Sequence, residues 1–182
     1  MTEQPRPVLV LSRALDQARA ALTTLDPADL DGPTHCGDWT VRDLTAHLVA
    51  APGNFLALAR GEEVDWSAPP DVGEEQWSEH FREGSEQLMQ HWSGKSEDEV
   101  GMADWHSAEI GVHTWDLLRA TGHSIPLDPE VAERGLAFMQ QGMTADNRGD
   151  AFAPAVEVPD DASPYDRLAA YAGRDPRLTT PG

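Results

Sequence analysis

The sequence predicts an all-α fold, a helical bundle, on three observations. Val and Ile are few beside abundant Ala, Leu, Glu and Gln, a bias that favours helix over strand. Apolar residues recur at steps of three and four in successive segments, the period of a helix face. Pro, Gly and Asp cluster between those segments, where helices start and stop. At 182 residues the chain is expected to form one domain over 1–182, with a core large enough to need no disulfide.

The first helix is expected from Val8 to Leu25, with Leu11, Leu15, Ala18 and Leu22 on its buried face and Pro27 and Asp31-Gly32 ending it. A second runs from about Val41 to Ala59. Thr40 and Asp43 at its start have capping-box spacing, and Pro52-Gly53 predicts a kink. Residues 61–73 (GEEVDWSAPPDVG) read as a loop crossing one end of the bundle, with Trp66 placed to close over a pocket. The third helix is expected from Glu74 to Trp92, its stripe marked by Trp77, Phe81, Leu88 and Trp92. The fourth covers 103–121 and stops at Gly122. A fifth follows from Pro129 to about Met143, capped by Asp128, with Val131, Leu136 and Met139 inward. From Asp146 onward the chain reads as an irregular tail with a short helix near Tyr165 to Ala172.

Composition narrows the functional classes. With 32 acidic and 13 basic residues the formal charge is −19, which repels phosphate backbones and anionic membrane surfaces, so no nucleic-acid or membrane partner is expected. No apolar run approaches the roughly 20 residues of a membrane span. The N-terminus lacks the basic and apolar parts of a signal peptide, and Cys36 has no second cysteine to pair with. Both observations point to a reducing cytoplasm. The chain contains no P-loop, dinucleotide glycine fingerprint, Gly-x-Ser-x-Gly elbow or paired-cysteine zinc motif.

The fourth segment carries the chemistry. Glu109 and His113 stand four apart, so both project from one helix face a turn apart. His47 shares the phase of Leu44 and Ala51 on the second helix, which points it into the bundle. Two imidazoles and a carboxylate make the ligand set of an open zinc site. The competing reading keeps each histidine as a hydrogen-bonded core residue or a solvated one. His106 precedes Glu109 by three and can be read as a fourth ligand or as a polar pocket wall. Asp116 follows His113 by three and suits the second ring nitrogen of that histidine, or a surface pair with Arg119. Cys36 reads as a small packed residue. Trp39, Trp105 and Trp115 read as core or as pocket wall.

Several of these residues fall in longer matching stretches. They are Thr34 with Cys36, the run Trp39-Thr40-Val41-Arg42-Asp43-Leu44 leading to His47-Leu48, and His113-Thr114-Trp115-Asp116-Leu117 with Ala120-Thr121-Gly122. Here the sequence resembles the DinB-like superfamily, in the branch related to the N-terminal domain of mycothiol-dependent maleylpyruvate isomerase, from about residue 8 to 176. The tail VPDDASPYDRLAAYAGRDP is similar to that of single-domain actinobacterial members. The resemblance implies a DinB-like four-helix bundle with an additional short helix, and a divalent metal ion, zinc by expectation, held by His47, Glu109 and His113. It further implies an enzyme that uses a low-molecular-weight thiol such as mycothiol to transfer, isomerise or detoxify a small electrophile. In such an enzyme His106 and Asp116 are the candidates to relay a proton, an assignment that spacing alone does not make. Gly37-Asp38 departs from the Pro-Gly common before the tryptophan, and the chain lacks room for the isomerase's C-terminal domain, so the isomerase reaction itself is not carried over. A non-catalytic metal-binding stress-response module and a metal-dependent hydrolase are the alternatives. A homodimer is compatible with a small bundle, although no heptad seam marks one.

Overall fold

The order of elements follows from local signals in the chain, and the computed structural model describes residues 4–144, 148 and 152–178. Helix α1 (Arg6–Leu22) carries Pro7 in its first turn, where a missing N–H costs nothing, and buries Leu11, Leu15, Ala18 and Leu22 as the spacing predicts. Helix α2 (Val41–Ala59) starts on a complete capping box: the Thr40 hydroxyl accepts from the Asp43 backbone N–H, and the Asp43 carboxylate accepts from that of Thr40. Pro52 lies inside α2, which nonetheless continues as helix to Ala59.

The segment expected as the third helix begins with a 3-10 turn at Glu74–Gln76 before α3 (Trp77–Trp92). No side chain caps that turn, because Gly73 stands at the N-cap position. Helix α4 (Met102–Thr121) ends at Gly122 as expected, α5 (Pro129–Gly142) is capped by Asp128, and α6 (Pro164–Tyr171) is capped by Ser163. Among the described residues the tail from 152 to 163 is irregular, while 145–147 and 149–151 of the expected tail lie outside them. No helix among the described residues is long and apolar enough to cross a membrane.

Helices α1 to α4 form the bundle, with α4 packed on α1 and α2, and α3 on α2 and α1; α5 and α6 cover the outer side of α4. Enclosure explains the composition of α4. Thirteen of its 20 residues are buried, and its two buried hydroxyls are satisfied within the helix. Ser107 donates to the Ala103 carbonyl at 2.8 Å and Thr114 to that of Ile110 at 2.7 Å.

Close approach of α5 to α4 depends on Gly135. A Cβ there would stand 3.0 Å from the Ala108 Cα and 3.2 Å from its Cβ. Gly135→Ala gains up to about 1 kcal/mol of helix propensity, but overpacking costs about 1–3 kcal/mol. A net loss of about 1–2 kcal/mol is expected by urea unfolding, and an unchanged or raised midpoint would refute the close packing.

Candidate metal centre

Packing of α2 on α4 brings His47 to face Glu109 and His113. The Nε2 atoms of His47 and His113 lie 3.0 and 3.1 Å from the same Glu109 oxygen, Oε1. The three side chains are nearly closed off from solvent, with 9%, 14% and 9% exposure for His47, Glu109 and His113. Two imidazole nitrogens converging on one buried carboxylate oxygen need protons or a cation between them. Donors each about 2.0–2.2 Å from a tetrahedral zinc stand roughly 3.3–3.5 Å apart, so a few tenths of an ångström of spreading would suit this trio to the ion. The His47 Nδ1 atom is buried with no hydrogen-bond partner.

The other nitrogen of His113 is firmly engaged. Its Nδ1 lies 3.1 Å from Asp116 Oδ2, the arrangement that turns Nε2 toward Glu109. Asp116 has no exposed side-chain surface, and Arg174 binds it through Nε and Nη2, the latter donating to Oδ2 at 2.9 Å. The Cys36 thiol donates to Asp116 Oδ2 at 3.0 Å, and its sulfur lies 4.0 Å from His113 Nδ1. Cys36, His113 and Asp116 thus form a second convergent group behind the first.

Electrostatics bind the two groups together. Burial alone would raise the Glu109 carboxyl, but the charge on His113 and hydrogen bonds from His113 and His47 outweigh it and hold Glu109 well below the usual carboxylate range. Burial likewise opposes ionisation of Asp116, yet the Arg174 guanidinium and the His113 hydrogen bond bring it down to about 2. Desolvation would lower His113, but Glu109, Asp116 and Cys36 raise it well above the ordinary imidazole value.

His106 occupies different surroundings. Its ring stacks on Phe55 at 4.0 Å between centroids, with Trp105 and Trp92 alongside at 5.3 and 5.6 Å, and it is not among the donor atoms that converge with His47, Glu109 and His113. Burial pushes its imidazole down to about 3. Below about pH 6.5 the unfolded chain takes up a proton at His106, while the folded chain does not until about pH 3, so falling pH favours unfolding. Between pH 7 and 5 the native protein is expected to lose roughly 2 kcal/mol more stability than His106→Phe. Equal losses in urea unfolding of the two proteins would refute a neutral buried His106.

Tryptophans wall the centre. Trp39 lies 5.0 Å from the His47 ring and 6.2 Å from that of His113, and Trp66 lies 5.9 Å from His47. Trp39, Trp66 and Trp105 are half-buried, whereas Trp115 is core and donates from Nε1 to Asp166. Asp116 meets His113 Nδ1, the first of its two expected partners, and also Arg174, which is not one of them. Arg174 itself has no spacing signal in the sequence. The local sign is Gly173, whose φ of +90° and approach to Ala153 exclude a side chain and turn the backbone after α6.

A four-helix bundle with two imidazoles and a carboxylate from facing helices around one point defines a class, the helical-bundle proteins with a candidate three-ligand metal centre. Within it, the chain belongs to the mycothiol maleylpyruvate isomerase N-terminal domain family, whose profile matches residues 11–118. That stretch contains His47, Glu109, His113 and Asp116 but not Arg174. The chain is also similar to two uncharacterized proteins of Mycobacterium tuberculosis, from strains CDC 1551 and H37Rv. Each is 29% identical over 183 residues, covering 94% of this chain and 99% of the relative. No solved structure matches the chain at a significant level.

Proposed function

We propose that this chain is a metal-dependent enzyme, with zinc as its ion, that uses a low-molecular-weight thiol, mycothiol by family, to transfer, isomerise or detoxify a small electrophile. The observation that carries the reading is the meeting of His47 Nε2 and His113 Nε2 at Glu109 Oε1. A divalent ion held there would favour thiolate over a thiol of ordinary pKa about 8.5.

The residues divide the remaining work. His47, Glu109 and His113 supply the ligands. Asp116 fixes the His113 ring through Nδ1 and is a positioning residue, because Arg174 holds it anionic and so removes it from proton transfer at neutral pH. His106, kept neutral by burial, is a poor base for the same pH range and serves better as a wall. Trp39 and Trp66 keep water from the ligands. The proposal sets this chemistry in a reducing cytoplasm, where the free Cys36 thiol persists.

The test is elemental analysis of untagged protein, native and His47→Ala, with calorimetric titration of mycothiol. About one metal per native chain, lost in the variant, and thiol binding only to the loaded protein are expected. Metal uptake with no thiol response would favour a hydrolase or a non-catalytic module. A native protein that takes up no zinc would overturn the metal centre.

A further inference from the structure

Beyond the three ligands lies a continuous aromatic wall. From His47 it passes to Trp66, and then to Phe55 and Trp105, which lie 5.6 and 6.1 Å from Trp66. Phe55 meets His106 at 4.0 Å, and His106 meets Trp92 at 5.6 Å. Trp66 and Trp105 are half-buried, so solvent reaches the wall there, while Phe55, His106 and Trp92 form its closed end.

That closed end is unlike an ordinary apolar core. Trp92 Nε1 and His106 Nδ1 are both buried with no hydrogen-bond partner, on side chains of residues 4% and 2% exposed. Buried indole N–H groups normally find acceptors, and two unpaired polar atoms on neighbouring rings call for a specific explanation. Neither side chain belongs to the ligand set.

We infer that this wall is a binding subsite for a flat, uncharged ring compound bearing a hydrogen-bond acceptor, the organic partner of the thiol. The indole N–H only donates, which requires an acceptor on the ligand. Stacked rings in offset and edge-on pairs favour a planar partner. The cation beside the closed end, Lys95, lies over the Trp92 ring with Nζ 4.7 Å from its centroid and meets His91 Nε2 at 2.8 Å. A carboxylate or phosphate among Phe55, His106 and Trp92 would still lose its hydration, which favours a neutral acceptor. The inference uses the proposed metal centre only for what the ring is held beside.

The probes are 2-acetylnaphthalene and its hydrocarbon counterpart 2-ethylnaphthalene, titrated by ligand-observed NMR against the zinc-treated full chain. The ketone is expected to bind roughly tenfold more tightly, the worth of about one net hydrogen bond. Trp92→Phe, which keeps a ring and removes the N–H, should abolish that preference at unchanged zinc content. Should Trp92→Phe fail to fold, the native protein decides alone: the ketone, and not the hydrocarbon, should shift a buried indole N–H resonance downfield. Equal binding of both probes, binding of neither, or a preference that survives Trp92→Phe overturns the subsite. Ketone preference in a chain that takes up no zinc would refute the metal reading and support the subsite; zinc uptake without preference does the reverse.

Discussion

Arg174→Ala is expected to cost about 3–5 kcal/mol of folding stability, the scale of breaking a buried ion pair by removing one partner. The guanidinium is 8% exposed and its partner Asp116 is wholly buried, so truncation strands a carboxylate that water does not reach. Two further groups feel the loss. His113 Nδ1 and the Cys36 thiol both bond the same Asp116 oxygen, and their geometry depends on its staying anionic. Arg174→Lys keeps the charge but cannot reproduce the contacts from Nε and Nη2, and should fall between native and Ala. Chemical unfolding decides. A loss below about 1 kcal/mol for Arg174→Ala, as for an exposed pair, would mean that Arg174 does not compensate Asp116.

His113→Ala is expected to weaken zinc binding by more than about 100-fold, since it removes a ligand, whereas Asp116→Asn, which removes only the orienting carboxylate, should weaken it by about 10–100-fold. The order of the two effects carries the argument. His113 is expected to hold the ion through Nε2, and Asp116 to act on it only through Nδ1. Competition against a chromogenic chelator measures both. If Asp116→Asn proves the more damaging, the ion belongs with Cys36, His113 and Asp116, the second convergent group, and the ligand assignment is wrong. Native affinity in His113→Ala would remove His113 from the centre.

Local chemistry made the helices legible. The reciprocal cap of Thr40 and Asp43 marks the start of α2, and Asp128 before Pro129 marks that of α5. Helix α4 is legible despite its enclosure, because its length and Gly122 set its limits even where apolar periodicity is weak. The 3-10 turn at Glu74 was less so, since spacing predicts a helix start but not how tightly its uncapped first turn winds.

The sequence by itself determined the helix class, the main boundaries and the placing of Glu109 and His113 on one face, because each depends on residues within a few positions of one another. Only tertiary structure decided the rest. Helical phase points His47 inward but sets neither the helix it meets nor the height at which it meets it, and packing of α2 on α4 supplies both. The same limit applies to Asp116, which gains Arg174 from 58 residues away and Cys36 from 80, and to His106, which packs on Phe55. Contacts at such separations are chosen by how whole helices fill a common core, and no local spacing encodes that choice.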